Sequence, residues 1–130
     1  MPGLLIIAHA PLASALREVA EHTYPDCART LSVLDVPPDM GADAVEAAAR
    51  DLMVRSGQPE WLVLTDVFGA TPSNAAQRLA GIQVRVVSGV SVPMLWRSLC
   101  YSAQPLDALA DRAAQGGASG IVATPTAQDA

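Results

Sequence analysis

The sequence contains no lysine. Its basic residues, eight in all, are arginines scattered from Arg17 to Arg112, and the formal net charge is −5. Nucleic-acid binding calls for a stripe of positive charge facing the phosphates, and none exists, so no nucleic-acid partner is expected. Cysteine is also scarce. Cys27 and Cys100 lie far apart, match no metal or redox spacing, and are expected as buried or half-buried thiols of a cytoplasmic protein. Long apolar runs are missing: Leu4 to Ala8 and Trp61 to Leu64 fall far short of the roughly 20 residues that cross a bilayer. No basic region precedes an apolar one at the N-terminus, so no signal peptide is expected. Walker A and G-x-G-x-x-G sequences, repeats and linkers are all lacking. No metal site and no cofactor are expected.

What is present is globular composition. Hydrophobic residues make up 51% of 130 residues and are spread along the chain, which suits one domain over residues 1–130. Gly3 to Ala8 is a continuous apolar run, as in a strand buried on both faces. Arg29 to Val36, Trp61 to Asp66 and Gln83 to Ser88 read as three more strands. Helices are expected over Pro11 to Thr23, Ala42 to Arg55, Pro72 to Ala80, Pro93 to Ser102 and Pro105 to Gln115. Ser119 to Thr124 reads as a last short strand, and the tail from Pro125 is expected to fray. Strands alternating with helices predict an α/β fold: an open, mostly parallel sheet in the order 2-1-3-4 with helices on both faces. Ligands of such sheets sit beyond the carboxyl ends of the strands, where the strand order reverses. That rule selects three places: His9 after strand one, Asp66 after strand three, and Ser88-Gly89 after strand four.

A lone histidine means little, and His22, late in a helix, is expected to be a solvated or packed side chain. His9 differs by position. With strands one and three adjacent, their ends lie roughly 5 Å apart. A carboxylate at Asp66 then orients the imidazole, fixes its tautomer and leaves the other ring nitrogen as a nucleophile. The segment Asp66-Val67-Phe68-Gly69-Ala70-Thr71-Pro72-Ser73-Asn74 follows. Gly69 allows a tight turn, Thr71 suits an N-cap and Pro72 the first helical position, so the helix start is a candidate anion site. Phe68, Gly69, Thr71, Pro72, Ser73, Ser88 and Gly89 form the candidate phosphate-binding pocket, with His9 and Asp66 as the catalytic pair. Other chemistries fit less well. A receiver domain wants an acidic pair after strand one and a lysine later. A Ser-His-Asp hydrolase wants a nucleophile elbow, and Gly89-Val90-Ser91-Val92-Pro93 lacks its second glycine. A flavodoxin-like domain with a small ligand is a further alternative.

Over nearly its full length the chain resembles the IIA component of the mannose-family phosphoenolpyruvate-dependent sugar phosphotransferase system. Three motifs carry the likeness: Ile7-Ala8-His9-Ala10 for the strand ending in T-H-G, Asp66 to Asn74 for D-x-x-G-[GA]-[ST]-P-x-N, and Gly89 to Leu95 for G-V-N-x-P-M-L. The resemblance implies that His9 is phosphorylated on Nε2 while Asp66 holds Nδ1. It implies the phosphocarrier HPr as donor and a IIB subunit as acceptor in sugar uptake, with the membrane reached only through transporter subunits. It also implies a homodimer in which a C-terminal strand, Ser119 to Thr124 here, is exchanged and pairs antiparallel with the partner's sheet. The sequence departs from the pattern at Ala10, where the family has glycine, at Ser73, commonly aromatic, and at Ser91, an asparagine in the family. A phosphorylation-dependent regulatory module without sugar transport is the alternative role.

Overall fold

The structure, a computed structural model, describes residues 1–126. Its elements run in the order β1 (Gly3–His9), α1 (Leu12–Thr23), α2 (Pro25–Ala28), β2 (Leu31–Val36), α3 (Ala42–Ser56), β3 (Trp61–Thr65), α4 (Thr71–Gln77), β4 (Val84–Ser88), α5 (Val92–Cys100) and α6 (Leu106–Ser119). The four strands are parallel and lie in the order β2-β1-β3-β4. The order and the helices between strands are as the apolar runs predict.

Side chains of adjacent strand residues point to opposite faces, and β1 divides its apolar residues accordingly. Leu4, Ile6 and Ala8 join one core with Leu16 of α1, Met94, Leu95 and Leu99 of α5, and Leu106, Leu109 and Ala113 of α6. Leu5 and Ile7 join a second core with Val45 and Ala49 of α3 and Ala75 and Ala76 of α4. Helices α1, α5 and α6 therefore cover one face, and α3 and α4 the other. Every residue of β1 before His9 is buried. His9, the last, emerges into solvent at the sheet's carboxyl edge.

Three expectations are corrected. Ser119 closes α6, and residues 121–126 form no strand within the chain. The helix runs on through glycines that are packing positions: a Cβ on Gly116 would lie 2.6 Å from the Arg97 side chain, and one on Gly117 2.7 Å from that of Met94. Close approach of α5 thus outweighs the low helix propensity of glycine. Second, both cysteines are exposed, Cys27 on the one-turn helix α2 and Cys100 at the end of α5. Third, α4 starts at Thr71 and stops at Gln77, short of Ala80. Residues 127–130 of the tail expected to fray lie outside the described residues.

Candidate functional site

The register builds the site. Ile7 of β1 pairs with Thr65, the last residue of β3, so β1 runs on past the end of β3 and its last residue, His9, meets Asp66 as the chain leaves β3. The Asp66 carboxylate then meets His9 twice: Oδ2 accepts the His9 backbone N–H at 3.0 Å and lies 2.7 Å from the ring Nδ1. Oδ1 accepts the Val67 backbone N–H at 2.8 Å. The Asp66 side chain is 13% exposed and that of His9 51%, so the orienting group is sheltered while the ring faces outward.

Burial pushes the Asp66 carboxyl up. The His9 backbone N–H, the His9 ring, the Val67 N–H and the charge of His9 outweigh it and hold the group below its ordinary value of 3.8. Asp66 is therefore ionised at neutral pH and can only accept. The proton of the shared bond belongs to Nδ1, so in the neutral form of the ring it is Nε2 that carries the free lone pair.

Beyond Asp66 the chain turns at Gly69, where φ is +94°, a conformation that favours glycine. The turn differs from expectation in one respect. Ala70, not Thr71, occupies the N-cap position of α4, no side chain caps it, and Thr71 is the first helical residue. The Asn74 side chain donates instead to the Gly69 carbonyl at 3.2 Å, closing the turn. Gly89, with φ of +88°, makes the matching turn after β4, and its N–H donates to the Asp66 carbonyl at 2.9 Å. Ser91 caps α5 by accepting the Met94 N–H.

The other pocket residues divide into two groups. Thr71 joins His9 in a cleft of about 270 Å³, closed by Ala10, Val36, Pro37, Pro38 and Met40. Phe68 stands out into solvent, 75% exposed. Pro72 and Ser73, by contrast, are buried. Ser73 lies in a line of hydroxyls beneath the site: Thr65 donates to Ser88 at 3.0 Å, and Ser88 lies 3.4 Å from Ser73. These hydroxyls brace β3, β4 and α4 against one another. The wall from Val36 to Met40 went unread in the sequence, although Pro37-Pro38 directly after strand two marked where that strand leaves the sheet. A larger cleft of about 660 Å³ lies between α5 and α6 and is lined by none of the candidate site residues. No helix among the described residues is long and apolar enough to cross a membrane.

An exposed imidazole, oriented by an ionised carboxylate at the switch point of a parallel 2-1-3-4 sheet, defines an α/β protein equipped for chemistry at a ring nitrogen. Residues 3–113 match the profile of the EIIA-man family, described as the PTS system fructose IIA component. The chain belongs to this family, whose members serve the phosphotransferase system. Solved structures with the same fold include the mannose/sorbose specific IIA subunit of the phosphotransferase system from Enterococcus faecalis. The two are 23% identical with a TM-score of 0.86, over 96% of each chain. Phosphotransferase system component EIIA from Streptococcus agalactiae is 23% identical with a TM-score of 0.84, over 95% of this chain and 97% of that one. A sigma-54 interaction domain protein from Enterococcus faecalis is 15% identical with a TM-score of 0.76, over 92% of each. No curated protein sequence matches the chain.

Proposed function

We propose that the protein is a phosphocarrier in which His9 Nε2 accepts a phosphoryl group from phosphorylated HPr and passes it to a IIB subunit in sugar uptake. The observation that carries this reading is the 2.7 Å contact between Nδ1 and the ionised Asp66. With the proton kept on Nδ1, the Nε2 lone pair forms the new N–P bond as the bond to the donor breaks. The phosphorylated ring keeps its Nδ1 proton and so carries positive charge, which Asp66 stabilises through the same hydrogen bond. A positively charged ring is also a good leaving group, so the next acceptor can take the phosphoryl group by the reverse displacement. Phe68, Gly69, Thr71, Pro72, Ser73, Ser88 and Gly89 shape the pocket around it: Thr71 in the cleft beside His9, the glycines as turns, and buried Ser73 with half-buried Ser88 as support.

The protein acts in the cytoplasm and meets the membrane only through transporter subunits. It works as a homodimer, for which the support is unpaired surface: β4 is an edge strand, and Ile121 and Val122 after α6 are 82% and 77% exposed. A partner strand laid on that edge covers both liabilities. A regulatory role with the same chemistry is the second reading. It is favoured by the occurrence of this fold in a sigma-54 interaction domain protein.

The test is incubation with phosphoenolpyruvate, enzyme I and HPr, followed by intact mass. Wild type should gain one acid-labile, base-stable phosphoryl group, His22→Ala should gain it too, and His9→Ala none. Label retained by His9→Ala overturns the assignment. Transfer onward to a IIB subunit separates the carrier from the purely regulatory role.

A further inference from the structure

We propose that Asp35 is a positioning residue for phosphoryl transfer, holding the turn that carries His9 through Ser14 and helix α1. The inference rests on the reading of His9 as the phosphoryl acceptor. Asp66 grips His9 from β3. Asp35 lies on β2, on the other side of β1, where it pairs in register with Ala8, the residue before His9. Its carboxylate reaches α1: Oδ1 accepts the Ser14 backbone N–H at 3.0 Å, and Oδ2 accepts the Ser14 hydroxyl.

Helix α1 has particular need of this contact. Its N-cap residue is Pro11, which offers no side-chain cap, and its first turn contains no acidic residue. The N–H of Ser14, in the first helical turn, would otherwise lack a partner, and the positive end of the helix dipole would lack a neighbouring negative charge. Asp35 supplies both from a neighbouring strand. The next residue of β2 completes the hold, since the Val36 carbonyl accepts the Ala10 N–H at 2.9 Å. The short connection Ala10-Pro11 is thus fixed at both ends, at Ala10 by Val36 and at Ser14 by Asp35. His9, immediately before it, is fixed by Asp66. Both Asp35 oxygens are engaged by Ser14, and Asp35 does not line the cleft that holds His9. Its influence therefore travels through the backbone and not through contact with the phosphoryl group. Displacements well under a bond length matter at a reacting nitrogen, because transfer depends on alignment of the attacking lone pair.

The test uses the full chain with Asp35→Asn, Ser14→Ala and Ser14→Thr. Two readouts are taken beside thermal stability: kcat and KM for transfer from phosphorylated HPr, and the His9 Nδ1–H signal in ¹⁵N-edited NMR recorded without any donor. Asp35→Asn should lower kcat about tenfold with KM unchanged, and should weaken or broaden the Nδ1–H signal. Ser14→Ala should shift both in the same direction by less, and Ser14→Thr, which keeps the hydroxyl, should restore them. If Asp35→Asn fails to fold, the Ser14 pair decides on the same two readouts. Lower thermal stability with kcat and the ring signal at wild-type values would show a merely structural role and overturn the proposal, as would wild-type values throughout. A wild-type protein that takes no phosphoryl group defeats the reading of function, whereas the ring signal still tests the positioning.

Discussion

Replacing Asp66 by asparagine keeps the shape of the site and removes its logic. The carboxylate accepts on both oxygens: Oδ1 from Val67, and Oδ2 from the His9 backbone and ring. Asparagine has one accepting oxygen and one donating NH2. With the oxygen toward Val67, the NH2 faces the His9 N–H, donor against donor, and invites Nδ1 to accept. The ring proton then moves to Nε2 and blocks the nucleophile. With the oxygen toward His9, the Val67 N–H meets a donor instead. In either arrangement a neutral amide replaces the carboxylate beside a ring that turns positive on transfer, which forfeits a hydrogen bond to a charged group worth about 1.5–3 kcal/mol. The lower end applies here because His9 is half exposed, and roughly 1.4 kcal/mol corresponds to a tenfold change in rate. A slowing of at least about tenfold is therefore expected, and the loss of about 10⁴-fold in a hydrolase triad altered in the same way marks the upper range. Single-turnover transfer from phosphorylated HPr, followed by intact mass against time, measures it. A folded Asp66→Asn protein that transfers at the wild-type rate would refute the orienting role.

The same carboxylate predicts a pH dependence of stability. Its folded pKa is depressed, so its contribution is present above the ordinary value of 3.8 and is lost as pH falls through the lower, folded value. Denaturant titrations at a series of acid pH values should show a shallower decline for Asp66→Asn than for wild type. Gly69→Ala should destabilise by about 1–2 kcal/mol from backbone strain alone, since a Cβ there meets nothing within 4 Å; urea unfolding checks this. Gly3→Ala should destabilise through overpacking, about 1–3 kcal/mol, because its Cβ would lie 2.6 Å from the Trp61 ring. Light scattering of the full chain should give about twice the 13.5 kDa chain mass, and truncation after Gly120 should shift it toward monomer or aggregate. A full-length monomer at micromolar concentration would count against the exchanged strand.

The strands and the strand order were legible because continuous apolar runs separated by amphipathic segments leave few other arrangements. The pairing of His9 with Asp66 was legible for the same reason, as both end central strands. What escaped depends on tertiary contact. Helix α2 is a single turn, too short for any periodicity to announce it. The N-cap of α4 at Ala70 was hidden because threonine is the better cap by composition, while the turn at Gly69 and the bond from Asn74 to its carbonyl decide the matter. Ser73 and Ser88 read as pocket residues because serine carries no signal of burial. Ser73 is buried and Ser88 half-buried, and their hydroxyls lie against each other at the sheet's edge. The bond from Asp35 to Ser14 spans 21 positions, and neither residue hints at the other until β2 is set in register beside β1.

The placement of the nucleophile at the end of β1 bears on how the protein fluctuates. Proteins open in parts, edges and termini before the centre, with each part set by its own local free energy. β1 has a strand on either side and a core against each face, so its amides should be among the last to exchange with solvent. The edge strands β2 and β4 should exchange sooner. His9 is therefore tied to the most slowly opening part of the molecule although its ring is in water. A partner arriving while an edge frays still meets the ring at the end of an intact strand.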